Sequence, residues 1–492
     1  MKVDPRSPVV IGVGQVLSRD TEALTEPIEL AVAAARAAAA DAGVRSDPLR
    51  RVEAVAVTPI VSWRYRDPAR LVADDLGLGA VATMTAAVGG NTPQMLMNRL
   101  AERITAGQLD LALLCGAESY RTRMAVRRSG THLDWRKQDD EMAPTWTDGE
   151  EFDLGHPVEL THGVLLPTQA YPLFENALRH GEGRSLDDHM DRLGQIWERF
   201  SAVAARNPHA WDRTAYTARQ ITEVTAENRI VGFPYTKHMV SNPNVDMASA
   251  AIVCSAATAA ELGVATDRWV FLHGGSDAKD PFMSNRTSFV TSEAIRWGGP
   301  AALAAAGVGI DDLTRVDLYS CFPAAVEIAA RELGIDPLDP GREPTVWGGL
   351  CFAGGPWNNP VGHAIAAMVE RLRSDGEGFG LVTANGGNIQ KHSFGVYSPT
   401  PPRRPFTAAT PARDLAPEPV EVVEEWNGTA DLETWTVMHG RDGSPEHAIA
   451  VARTPEGSRA WATSGSAEVM ARLEAGDLIG TPIEIRGDIF EL

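Results

Sequence analysis

Lysine is nearly missing from this chain: five of its 45 basic residues are lysine, and the rest are arginine. The 65 acidic residues outweigh them and leave a net charge of −20, which excludes a general nucleic-acid or anionic-membrane binder. Cysteine is scarce as well. Cys115, Cys254, Cys321 and Cys351 are widely spaced, with no CxxC pair and no histidine cluster, so neither a disulfide framework nor a metal site is expected. No apolar run approaches the ~18 residues that would span a bilayer, so no integral membrane segment is expected. Met1-Lys2-Val3-Asp4-Pro5-Arg6 lacks a signal-peptide core, and the expected location is cytoplasmic. There is no GxSxG elbow, P-loop or HExxH motif. Gly12-Val13-Gly14 follows a strand but lacks the third glycine of a dinucleotide loop, so no cofactor is expected.

What is present is enough for a large core: 492 residues, 44% hydrophobic and 22% charged. At ~150 residues per domain the length suggests about three domains. Pro8 to Gly14 reads as a strand, Glu22 to Gly43 as an alanine-rich amphipathic helix, Val52 to Val57 as a strand, and Asp67 to Leu76 as a helix. This rhythm implies a mostly parallel sheet with helices on its faces. From about 121 to 240 the rhythm breaks into a Trp-, Pro- and charge-rich insertion with a helix near Asp187 to Ala205. Insertions of this length usually act as lids or binding loops. It opens with Arg121, Arg123, Arg127 and Arg128, which read equally well as a solvated face or as an anion site. The rhythm returns at Ala248 to Ala257 and continues to about Tyr397.

The most informative stretch is Ala86 to Leu100. An apolar run ends in Gly89-Gly90, and Asn91-Thr92-Pro93 opens a helix, with Thr92 as the expected N-cap and Pro93 at the first helical position. Leu96, Leu100 and Ile104 share one face, Gly107 closes the helix, and Leu109 to Ser119 follows as a buried strand. The same pattern recurs about 265 residues later. Gly354-Gly355 and Asn358-Asn359-Pro360 lead into a helix with Ile365, Met368 and Leu372 on one face, and then into Gly380 to Gly387. Between them Val316 to Tyr319 reads as a strand turning into a helix through Ser320-Cys321-Phe322-Pro323. Two such elbows imply two similar α/β halves set face to face.

After Tyr397 seven prolines between Pro399 and Pro419 read as a stiff linker, residues 399–419. Residues 420–492 alternate β-formers around a short helix from Ala467 to Ala475, which implies a small β-rich barrel. From Phe406 onward there are about 16 acidic residues against six arginines and no lysine, so a nucleic-acid partner is not expected of this OB-like unit.

Several motifs resemble the thiolase superfamily, most closely its sterol-carrier-protein type. These are Leu114-Cys115-Gly116-Ala117-Glu118-Ser119, Asn242-Pro243-Asn244-Val245-Asp246, Asp317-Leu318-Tyr319-Ser320-Cys321-Phe322 and Gly348-Gly349-Leu350-Cys351-Phe352-Ala353-Gly354-Gly355-Pro356. The appended β domain is similar to that of the actinobacterial thiolase-like type 1 group, and the arginine-for-lysine bias is compatible with a high-GC source. The resemblance implies an α/β thiolase fold, with two βαβαβαββ halves in a five-layered αβαβα arrangement. It assigns 1–120 with 241–265 to the first half, 121–240 to a helical loop (lid) domain of the kind that binds coenzyme A, and 266–398 to the second half. It also implies an acyl-CoA-type ligand, and either the family's homodimer or a monomer.

The resemblance fails at the four positions that carry thiolase chemistry. The nucleophile falls on Gly90, the Asn/His position on Tyr319, the Gly-His-Pro histidine on Gly355, and the acid/base cysteine on Ala384. Without a thiolate at the helix N-terminus no acyl-enzyme forms, and losing the acid/base removes a further ~10²–10⁴-fold. Other pocket candidates are Asn91, Ser320, Cys321, Cys351, His363, Asn385 and His392. The leading expectation is an acyl-ligand-binding protein of lipid metabolism without thiolase turnover. Two alternatives stay open: an acyltransferase or lyase with relocated groups, and a non-catalytic protein-interaction module.

Overall fold

The computed structural model describes residues 3–149, 155–411 and 418–492. In chain order its strands are β1 (Pro8–Leu17), β2 (Ala54–Val57), β3 (Ala82–Ala86), β4 (Leu111–Ser119), β5 (Trp146–Asp148), β6 (Ile230–Gly232), β7 (Tyr235–Thr236), β8 (Asp246–Ser255), β9 (Val270–Lys279), β10 (Leu313–Asp317), β11 (Phe379–Gly386), β12 (Lys391–Ser398) and β13 (Ala408–Ala409). Five more follow: β14 (Trp426–His439), β15 (Pro445–Arg453), β16 (Arg459–Ser464), β17 (Pro482–Gly487) and β18 (Ile489–Glu491).

Among the described residues the main sheet runs β10-β11-β12-β9-β1-β8-β4-β2-β3-β5, with β13 added to β9. Its two sides repeat one scheme. β2 lies parallel to β4, β4 antiparallel to β8, and β8 antiparallel to β1; β10, β11, β12 and β9 pair in the same senses. The halves meet where Val9 and Val10 of β1 face Phe271 and Val270 of β9. This is the thiolase fold that the family resemblance implies, with the two similar halves expected from the paired elbows. Helices Thr92–Thr105 and Pro360–Asp375, one from each half, pack together between the sheets. Both faces of β8 are therefore covered, which is why it reads as one unbroken apolar run.

Gly12 and Gly14 have a packing role. A Cβ at Gly12 would lie 3.1 Å from the carbonyl carbon of Ala38, and one at Gly14 2.6 Å from the Ala38 nitrogen. Helix Pro27–Asp41 thus lies directly on β1, made possible by its alanines. That helix starts later than the expected Glu22 because Pro27 stands at its first position, with a Glu26/Glu29 capping box before it. Helix Thr92–Thr105 also departs from expectation. Its cap residue is Asn91, without a side-chain cap, because the Thr92 hydroxyl donates back to the Gly89 carbonyl. β10 ends at Asp317 rather than Tyr319. The Asp317 carboxylate accepts from Thr345 Oγ1 at 2.7 Å and Val346 N at 3.0 Å, and the chain turns away there.

The insertion is not separate from the sheets. Its β5 pairs parallel to β3 and covers the outer edge of the first half. Its β6 joins the C-terminal barrel through Gly232 against Met438 of β14. Strands β14, β15, β16, β18 and β17 close that barrel, with helix Ala467–Ala475 on it. The proline-rich stretch is also partly structured. Gly275 N donates to Thr407 O at 3.0 Å and β13 pairs with β9, while residues 412–417 of the expected linker lie outside the described residues. No helix among the described residues is long and apolar enough to cross a membrane.

Candidate functional site

The first elbow is gripped by the second. Gly89 N donates to Asn358 Oδ1 at 3.0 Å, and Asn359 Nδ2 reaches back to Gly116 O at 2.8 Å. The end of β11 presses on the elbow from the other side. A Cβ on Gly386 would lie 3.1 Å from Gly89 Cα and 3.2 Å from Gly90 N, so only glycine fits there. The free end of helix Thr92–Thr105 thus points its positive pole into a sealed corner.

Tyr319 fills the place above Gly90. A Cβ on Gly90 would stand 2.6 Å from Asn385 O and 2.9 Å from Tyr319 Cζ, and closer still to the tyrosine hydroxyl. Tyr319 is held by its own amide, which donates to Thr383 Oγ1 at 2.9 Å. From the insertion, Tyr171 on helix Pro167–Gly181 closes the site. Its hydroxyl accepts from Asn385 Nδ2 at 3.0 Å and donates to Gly387 O at 3.2 Å, and its ring stacks on Phe322 at 4.5 Å. Burial pushes the Cys321 thiol up to about 12. Burial likewise pushes the hydroxyls of Tyr171 and Tyr319 well above the usual phenol range. What remains is a cavity of about 10 Å³ lined by Tyr319, Ala384, Asn385 and His392, room for about one water.

The structure therefore brings Gly90, Asn91, Tyr319, Cys321, Ala384 and Asn385 together. Asn91 reaches Ser393 Oγ at 3.3 Å through Nδ2, and its Oδ1 lies between the two glycine turns. Gly355 stands at the rim, its amide donating to Asn242 O at 2.8 Å and its Cβ direction filled by Ser241. Ser320 turns its hydroxyl toward the Leu350 amide, 3.4 Å away. His392 faces Asn385 across the β11–β12 ladder and lies 4.0 Å from Asp280; burial lowers it to about 4.

The remaining candidates are engaged elsewhere. His363 bonds Gln15 at 2.9 Å and stacks on Trp347, and burial lowers it to about 3. Cys351 accepts from Trp197 Nε1 at 3.2 Å, and burial raises its thiol far above the usual range. Neither histidine is poised as a base near neutrality, and neither thiol as a nucleophile. At pH 8 iodoacetamide should accordingly leave Cys321 and Cys351 unlabelled in the native protein and label both in urea. Mass spectrometry of the labelled peptides reads the result.

Of the early arginines, Arg121 and Arg19 stack on Trp211 with guanidinium carbons 5.6 and 4.6 Å from the ring, and Arg123 lies over Trp63. Arg127 and Arg128 are exposed. An open cleft of about 440 Å³ runs along the Asn91, Met95 and Arg99 face of the elbow helix. His392 lines its inner end, and Trp297, 41% exposed, also lines it. Arg99 in this cleft is already paired with Asp148 and Asp277.

Two features were not foreseen in the sequence. One is the Tyr171 plug. The other is a buried group formed by Glu175, His189 and Glu327, whose ligating atoms lie within 4.8 Å of one another. Tyr171 and Glu175 sit one turn apart on a helix that reads as ordinary amphipathic sequence, so no local signal marks them.

Residues 413–489 match the family described as "Thiolase-like protein type 1 additional C-terminal domain". Among curated proteins none matches the sequence. Among solved structures, a monomeric SCP2-thiolase-like protein type 1 from Mycobacterium smegmatis is 31% identical, with 99% of this chain and 98% of that one covered at a TM-score of 0.84. An acetyl-CoA acetyltransferase from Syntrophomonas wolfei is 17% identical over 81% of this chain and 100% of its own, with a TM-score of 0.56. The dimeric peroxisomal thiolase of Saccharomyces cerevisiae is 13% identical over 81% of this chain and 98% of its own, with a TM-score of 0.58. The last two share the fold alone.

Proposed function

This chain belongs to the SCP2-thiolase-like protein type 1 family, and on that premise we propose that it is a monomeric acyl-ligand-binding protein of lipid metabolism that does not perform thiolase chemistry. The observation that carries the reading is Tyr319 standing where a side chain on Gly90 would be. A thiolase needs a thiolate there to take the acyl group and donors around it to hold the enolate oxygen. Here the corner is closed by a phenol that burial keeps protonated, and burial moves the nearby Cys321 thiol up to about 12 and His392 down to about 4, both away from neutrality.

Support for a retained ligand comes from the cleft beside the elbow. Its volume of about 440 Å³ lies in the range of small-molecule sites, and its walls mix Ala87, Met95, Ala278 and Trp297 with charges of both signs, Arg99, Lys279 and Lys391 beside Asp148, Asp277 and Glu293. That combination suits an apolar tail with a polar end, as in the acyl and amide portion of a coenzyme A thioester. Calorimetric titration with coenzyme A and with octanoyl-CoA tests this, alongside an assay with acetoacetyl-CoA. Saturable binding at ~micromolar concentration without thiolysis is expected, about −8 kcal/mol. Thiolysis at ordinary thiolase rates would refute the reading, and so would the absence of binding by both ligands.

A further inference from the structure

Tyr171 and Glu175 lie on the same face of helix Pro167–Gly181, four residues apart. Tyr171 plugs the elbow. Glu175 meets Glu327, which sits on helix Pro323–Leu333 directly after the Tyr319–Phe322 turn. One helix of the insertion thus holds both the plug and one acid, and the facing helix of the second half holds the other acid.

The two carboxyls approach within 4.8 Å in a dry interior, with Glu175 fully buried and Glu327 6% exposed. Glu175 Oε1 bonds His189 Nε2 at 2.7 Å, and Tyr235 donates its hydroxyl to Oε2. Glu327 Oε1 accepts from Arg192 Nε at 2.9 Å and Arg184 Nη1 at 3.4 Å. Glu327 Oε2 has no hydrogen-bond donor among the described residues. A contact between two acids in such a place requires a proton on one of them. A cation could be imagined in its stead, but the two guanidiniums already hold the acid side of the cluster.

We propose that Glu175 and Glu327 form a proton-held latch that keeps Tyr171 seated in the elbow, and that loss of the shared proton frees the plug helix.

Burial pushes both carboxyls up to about 7, whereas an unconstrained glutamate titrates near ~4.3. The closed latch is therefore fully stabilised below ~4.3 and loses that stabilisation as pH rises through about 7. His189 acts in the opposite sense, since burial lowers it to about 4; its contribution is complete once pH passes ~6.5. Other charges facing the pair are Arg179 from the plug helix, and Glu182, which pairs with Arg184 and Arg331. Between pH 6.5 and 8.5 the shared proton is the variable.

The latch deepens the acyl-site reading by saying what opens that site, but its test uses no ligand, so either can fail without the other. Amide hydrogen exchange across residues 167–181 is followed by mass spectrometry at pH 6.5 and 8.5, corrected for the intrinsic rate. Protection in the wild type should fall about fourfold between the two, the change one proton with a pKa of about 7 supplies over that interval. Glu327→Gln supplies a permanent donor and should hold its protection at both values. Glu175→Gln serves the same purpose should the first variant not fold. Equal wild-type protection at the two pH values overturns the latch, as does a Gln variant that loses as much as the wild type.

Discussion

Gly90→Cys is expected to damage this protein rather than restore a catalyst. The new side chain meets Asn385 O and the Tyr319 ring closer than packed atoms allow, and the glycine turn at Gly386 blocks retreat. Overpacking of this kind costs about 1–3 kcal/mol, more where the neighbour is backbone. Tyr319→Ala alone should cost about 3–5 kcal/mol, because it leaves a large cavity beneath the elbow. The informative variant is the pair. With the phenol gone the thiol has room, and the double variant should recover at least ~1 kcal/mol relative to the sum of the singles. Urea denaturation of the four proteins reads this directly. Additive losses would mean that Tyr319 does not occupy the nucleophile's space. On the proposed reading the double variant should still lack turnover, since Ala384 and Gly355 would stand where a thiolase has its acid/base and its oxygen-holding imidazole, and neither side chain can do that work.

This pairing shows how far the sequence could be read. The two Gly-Gly-Asn-Pro elbows, the strand after each and the capping glycine at Gly107 are local signals, so the halves and their face-to-face placement were legible. The short helix Ala467–Ala475 and its β-rich surroundings were legible for the same reason. What decides the site is long-range. Tyr171 lies 214 residues from Asn385 and carries no motif, since its role depends on where the insertion's helix lands. β5 is only three residues long and becomes a strand because β3 offers it an edge. β9 hides behind Gly274 and Gly275, which weaken its apolar pattern. A Cβ at Gly274 would lie 2.6 Å from the backbone of Ala306, so this glycine serves the close approach of helix Glu293–Ala306, while Gly275 makes room for the Asn98 side chain. The Thr92 cap went to Asn91 because the threonine hydroxyl found a nearer acceptor in the turn before it.

Arg459→Ala should cost the most of any single change in the appended domain. This arginine lies on β16 of the barrel and is fully buried. Its fork meets Glu433 twice, Nε to Oε2 at 2.8 Å and Nη2 to Oε1 at 2.7 Å. Its remaining nitrogen donates to three carbonyls of the second thiolase half: Met283 at 3.1 Å, Ser284 at 2.7 Å and Arg286 at 2.7 Å. Phe289 lies under the guanidinium at 4.8 Å. One side chain therefore joins the barrel to the thiolase body. Truncation leaves Glu433 held by Arg453 alone and three carbonyls without their donor; each orphaned buried carbonyl costs about 1–3 kcal/mol, so a loss of about 3–5 kcal/mol is expected. Arg459→Lys should recover less than half of that, because an ammonium cannot hold a two-pronged bond to Glu433 and the carbonyls together. The loss should also appear as release of the barrel, with limited proteolysis cutting between residues 399 and 425 in the variant and sparing the wild type. A loss below ~1 kcal/mol, the scale of a surface pair, would show that the barrel is held by β6 pairing and apolar contacts instead. The expected large loss makes the appended domain an integral wall of the protein, since the helix that carries Tyr171 and Glu175 also packs on β14, where Asn176 Nδ2 donates to Trp435 O at 2.9 Å.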